Sequence, residues 1–222
     1  MTKALSKSYS NLNHPECSDI DSALDMVFNK VFYVKPAITS FKMTPSSTTY
    51  EIGTTINGLQ FNWEINKDIL NQTLTDCDLI DASVRSAKYA TPLSSNKTFT
   101  LNINDGENSA SASKTISFLN KIHWGNSIEP DNYDSKFILE LSNSKLTYQK
   151  NGEYSFNCAN NEYAYFATPV SMGITSAWVN GFQAELEKVA TISHTNASGY
   201  KSDYVITKFS NFGLGSFVAT VK

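Results

Sequence analysis

Residues 36–67, PAITSFKMTPSSTTYEIGTTINGLQFNWEINK, alternate apolar and polar side chains across two turn signals, which restricts the fold more than any other stretch of the chain. Ile38, Phe41 and Met43 precede the breaker Pro45-Ser46-Ser47; Tyr50 and Ile52 follow, then Ile56 and the Asn57-Gly58 turn. Strand side chains alternate between faces, so Leu59, Phe61, Trp63 and Ile65 share one. The pattern reads as strand, turn, strand, turn, strand. Strands this short and closely spaced predict the edge of an antiparallel sandwich and argue against a βαβ unit.

Composition narrows the function. The 222 residues carry a net charge of -3, and Arg85 is the only arginine. Nucleic-acid binding needs clustered Lys and Arg, and bidentate phosphate recognition relies on Arg, so no nucleic-acid partner is expected. Ser, Thr and Asn supply most of the polar surface, which suits the outer faces of strands. Cys17, Cys77 and Cys158 are widely spaced and odd in number, giving neither a disulfide framework nor metal-ligand spacing. Free thiols of a protein made in a reducing cytoplasm are expected. Neither a secretion signal nor an apolar run long enough to cross a membrane is legible, so membrane insertion is not expected.

Along the chain, residues 1–17 are polar and unpatterned and read as an arm. Ser18 followed by Asp21 forms a helix-start signal, and Ile20, Leu24, Val27, Phe28 and Val31 recur at helical spacing. The expectation is a short amphipathic helix over 19–32, ended by Lys35-Pro36, whose apolar stripe is a candidate partner interface. About seven strands are expected over 34–120, with a turn-rich stretch at 71–75, a strand at 76–80, strands at 96–104 and 109–118, and Trp63 as the central core tryptophan. This first β-domain reads as immunoglobulin- or fibronectin-III-like without the cysteine pair of antibody domains.

A second β-rich domain is expected over 121–222. Residues 122–125 read as a link or edge strand and 127–135 as a loop. Strand candidates follow at 136–141, 145–149, 154–158, 162–167, 176–179, 184–194, 204–209 and 215–221, separated by turn dipeptides such as Asn151-Gly152 and Asn180-Gly181. The predicted architecture is all-β: two β-sandwich domains preceded by an arm and a short helix.

The segments ITSF, EIG, LQFNWEINK, KTFTLNIND and TISFLNKIHWG succeed one another in an order that resembles a two-domain module of bacteriophage virion proteins. EYAYFATPVSMG, TSAWVNGF, KVATISHTNASGYKSDYVI and NFGLGSFVATV continue it, and SALDMVFNKVFYVKPAI is similar to the helical lead-in of such proteins, so the likeness covers residues 19–222. The resemblance implies a non-enzymatic virion structural protein of the tail, baseplate, collar or fibre apparatus, without catalytic residues or cofactor. The partners it implies are other virion proteins, in a homo-oligomer or a symmetric ring or fibre, with localisation to the virion after synthesis in the host bacterial cytoplasm.

Enzyme motifs are missing: the chain has no G-x-S-x-G elbow and no phosphate-binding glycine loop. His14, His123 and His194 lie far apart and read as exposed or hydrogen-bonded within the fold. The acid pairs Asp19/Asp21, Asp76/Asp78 and Asp131/Asp134 read as solvated, since calcium takes six or more oxygens. Aromatics of the second half offer one alternative. Tyr163, Tyr165 and Trp178, among many Asn and Ser, are of the type that stacks on sugars, so a host surface glycan or protein is a second candidate partner. Tyr163, Tyr165 and Ala167 also fit the inward side of one strand.

Overall fold

A computed structural model describes residue 24, residues 33–78 and residues 81–222. Leu24 is helical; the rest of the expected arm and helix, including Ile20, Val27, Phe28, Val31 and Cys17, lies outside the described residues. The chain is all-β, 57% of it strand, more than twice the usual share.

Among the described residues seven strands occupy the first half: β1 (Ile38–Thr44), β2 (Thr49–Glu51), β3 (Leu59–Ile65), β4 (Asn71–Leu74), β5 (Ser86–Tyr89), β6 (Lys97–Asn104) and β7 (Ser109–Leu119). They form two sheets, β1-β3-β5 and β2-β7-β6-β4. Alternation in β3 turns Leu59, Phe61 and Trp63 into a core shared with Phe99, Leu101, Ile103 and Ile116 of the facing sheet. Trp63 is 2% exposed, as its sequence position predicts. Its indole N–H donates to Gln72 Oε1 at 3.0 Å, and Gln72 Nε2 donates to the carbonyls of Asp81 and Val84 at 2.7 Å each. A buried amide in this position needs those partners, and it welds β4 and the 81–84 loop to β3.

Two expectations fail here. The run is not the edge of a wholly antiparallel sandwich: β3 is the middle strand of its sheet, and beyond Pro45 the chain crosses to the other sheet, where β2 pairs in parallel with β7. The expected strand over 76–80 is a turn at its start, with Asp76 at φ 53°, and the strand is the supposedly turn-rich Asn71–Leu74. Gln72 and Leu74 point inward there, and a buried glutamine disguises the alternation.

The second half contains β8 (Lys121–Ser127), helix α1 (Ser135–Glu140), β9 (Asn143–Leu146), β10 (Gly152–Cys158), β11 (Tyr163–Pro169), β12 (Ala177–Val179), β13 (Phe182–Ala184), β14 (Leu186–Thr195), β15 (Lys201–Phe212) and β16 (Gly215–Val221). A five-stranded sheet, β14-β15-β11-β8-β9, faces a four-stranded one, β10-β16-β12-β13. Residues 122–125 are not an edge, since β8 runs between β11 and β9. Nor are 136–141 a strand. The Asp134 side chain accepts from Phe137 N at 2.9 Å and starts α1, which buries Phe137 and Ile138; the cap decides a short apolar run that periodicity leaves ambiguous.

Because α1 covers the far side of the five-stranded sheet, β11 is buried on both faces. Ala164 and Phe166 join the core between the sheets, while Tyr165 and Ala167 join a second one with Phe137, Ile138, Tyr204 and Ile206. Buried apolar residues of the first half stop at Phe118 and those of the second begin at Ile122. Each half thus has its own core.

Candidate functional site

Tyr165 is fully buried and cannot face a ligand. Its position in the middle strand, under α1, closes it off: its ring packs on Phe137 at 5.0 Å between centroids, and burial pushes its phenol far up in pKa. Tyr163, half-buried, is the wall of a charged cluster. Lys208 Nζ lies 4.4 Å from its ring centroid and pairs with Glu129 at 2.6 Å and Glu187 at 3.7 Å. Burial disfavours the Lys208 charge, but the Glu129 hydrogen bond and both carboxylates outweigh it and raise its pKa.

Trp178 is placed differently. Asn180 and Gly181, at φ 53° and 84°, make the tight turn that pairs β12 with β13, a backbone that Asn and Gly adopt at low cost. Ala177 and Val179 consequently point into the core and Trp178 out, between Gln183 of β13 and Thr220 of β16. The outer face continues with Glu153, Ser155 and Asn157 of β10 and with Ser216 and Val218 of β16. Lys222 Nζ stands 5.2 Å from the indole centroid, and Phe182 at the turn is 80% exposed. An indole framed by hydroxyls and amides can stack on a sugar ring or on an apolar patch of a partner. Of the three sequence-predicted residues, Trp178, itself half-buried, is the one on the outer face of the four-stranded sheet.

Tyr33 is anchored. Its hydroxyl donates to Asp105 Oδ2 at 2.6 Å and accepts from Asn108 Nδ2 at 3.0 Å, while Lys67 Nζ reaches Asp105 at 2.8 Å and the Tyr33 ring centroid at 4.5 Å. Hydrogen bonds from Lys67 and Tyr33 hold the Asp105 carboxyl well below the usual carboxylate range. Asp105 opens the β6–β7 turn, and β7 then runs eleven residues, about 33 Å at strand rise, to the junction with the second half. The entry clamp and the junction therefore occupy opposite poles of the first unit.

At the junction, Lys121 Nζ pairs with Glu51 Oε2 at 2.8 Å, Asn196 Nδ2 donates to Ile52 O at 2.7 Å, and Thr54 and Ser198 hydroxyls lie 3.3 Å apart. Gly53, at φ 90°, lies so close under Tyr200 that a Cβ there would come within 2.3 Å of the Tyr200 Cβ. Behind this seam sit His123, His194 and Tyr204, 4%, 1% and 2% exposed. The His123 and His194 ring centroids are 5.8 Å apart, and His194 packs at 4.7 Å on Tyr204, whose hydroxyl donates to Lys121 O at 2.7 Å.

These histidines are neither exposed nor fully satisfied, contrary to expectation. His123 Nε2 and both ring nitrogens of His194 are buried without a hydrogen-bond partner among the described residues. Burial, the neighbouring His194 and Lys121 lower the His123 pKa to about 4; burial lowers that of His194, against Glu51. Separated by 71 positions, the two show no local spacing signal. Their one legible mark is that each sits in an apolar strand run, KIHW and ATISH.

Among the described residues no group of three or more His, Cys, Asp or Glu could hold a metal. Asp76 pairs with Lys97 and Asp134 caps α1, while Cys77 and Cys158 are free thiols. Among the described residues no helix is long and apolar enough to cross a membrane. Comparison with known proteins returns no matching family model, no matching curated protein and no matching solved structure.

Proposed function

We propose that this protein is a non-enzymatic structural subunit of a bacteriophage virion, in the tail, baseplate, collar or fibre apparatus, where it joins other virion proteins as an adaptor within a symmetric ring, fibre or homo-oligomer. The polarity of the molecule carries the reading: the chain enters at the Tyr33 clamp on one pole of the first unit, and the second unit is held at the opposite pole by the Glu51–Lys121 and Asn196–Ile52 ties. Such a body presents two ends to two neighbours. The amphipathic pattern of Ile20, Leu24, Val27, Phe28 and Val31 gives residues 1–32 an apolar stripe suited to docking on one of them.

In this reading the first unit is an immunoglobulin-like sandwich. A β1-β3-β5 sheet facing β2-β7-β6-β4, β2 parallel to β7, and a core tryptophan support it, and the free Cys77 thiol in place of a cysteine pair sets it apart from antibody domains. Assembly happens in the bacterial cytoplasm, and the finished protein resides in the virion.

The test is incorporation into particles. A chain lacking residues 1–32, which keeps the Tyr33 clamp, is expected to fold with unchanged β circular dichroism and to be lost from particles purified on a gradient. Normal incorporation overturns the adaptor reading. A second reading, a receptor-binding tail-tip module for a host glycan or surface protein, is favoured by the outward Trp178; there Trp178→Ala reduces attachment to host cells without affecting incorporation.

A further inference from the structure

We propose that the seam between the two units is an acid-sensitive hinge: protonation of the buried His123–His194 pair releases the tip of the β14–β15 hairpin from the end of β2 and frees the units to reorient. Both rings lie on the α1-covered face of the five-stranded sheet, at its end nearest the first unit. Neutral, the rings leave His123 Nε2 and both His194 nitrogens unmet; an imidazolium adds a charge and a second donor where the surroundings supply no partner for those atoms.

The surroundings offer little help to that charge. From β8, Lys121 is a cation. On β2, Glu51 is the nearby anion, already paired with Lys121, and turning it to an imidazolium breaks that tie across the seam. Tyr204 of β15 has its hydroxyl on Lys121 O. On α1, Ser135 Oγ is taken by Thr195 N, and Lys136 and Glu140 are 81% and 65% exposed. Lys201 and Asp203 beside the hairpin tip are also exposed. With the rings 5.8 Å apart, one proton further opposes the next.

Opening the seam is the direct route to water for both rings. It sacrifices the ion pair, the Asn196–Ile52 and Thr54–Ser198 contacts and the Tyr200–Gly53 packing, while each half keeps its separate core. Acid therefore loosens the joint before it unfolds either unit.

The full chain, with its histidines labelled for NMR, is titrated from pH 7.5 to 4, and backbone hydrogen exchange is followed at pH 7.5 and 5 with intrinsic rates corrected. The result expected is titration of His123 and His194 below the usual imidazole range, with exchange over 52–54 and 193–201 rising at least tenfold at pH 5 while β6 and β11 stay protected. His194→Phe, which keeps a ring and cannot titrate, is expected to weaken the pH response; should it not fold, the wild-type titration and exchange decide alone. Seam protection that persists at pH 5, or loss of protection in β6 and β11 together with the seam, overturns the hinge.

Discussion

A buried imidazole with unmet nitrogens links single side chains to the pH response of the whole molecule. The folded-state pKa of His123 is lowered to about 4, against about 6.5 in an unfolded chain. The folded state thus prefers the neutral ring: its full stability holds above about pH 6.5 and is lost progressively as pH falls toward 4, on the order of 3 kcal/mol for such a gap. The aromatic residues sort by the same criterion of what surrounds them. Tyr165→Ala, emptying a site between β11 and α1, is expected to cost about 3–5 kcal/mol in chemical denaturation. Trp178→Ala, on an outer sheet face, is expected to cost about 1 kcal/mol or less. Equal losses would place Trp178 in the core. Strand parity alone leaves both sides of β11 open to either reading, because only the helix above it determines that its second face is also buried.

At the level of elements, the legible parts are those in which local pattern and tertiary demand agree. β3 is such a case: its alternation names Leu59, Phe61 and Trp63 as core residues. β10 and β16 follow the same rule. The misread parts have a non-local cause. β4 looks polar because Gln72 is inward and is satisfied only by Trp63 and the 81–84 loop; α1 looks like a strand because Asp134 acts through a cap rather than through periodicity. Pairing order lies further out of reach, since the parallel partnership of β2 with β7 joins positions nearly 70 residues apart in sequence. Gly53 tests the seam as an element. Gly53→Ala places a Cβ against Tyr200 on a left-handed backbone, and is expected to cost more than about 1 kcal/mol and to raise exchange over 193–201 at neutral pH. Unchanged exchange there would mean that the seam yields without cost.

For the whole molecule, two separately cored units joined at one pole, with the chain entering at the other, make a directional body. That directionality was only half visible in the sequence: the amphipathic stretch before Tyr33 and the change of pattern near residue 120 are legible, while the Tyr33–Asp105–Lys67 clamp and the Glu51–Lys121 seam join residues too distant to be paired by eye. Of the candidate site, Trp178 was legible as a residue type, and its outward aim required the β12–β13 register. The adaptor role is tested most directly by electron cryo-microscopy of intact particles, with the chain located by its tryptophan and tyrosine densities. Residues 1–32 are expected to lie ordered along a neighbouring protein, with the first unit seated against it by the Tyr33 pole. Particles in which that pole is bare, with the chain held only through its second unit, would contradict it.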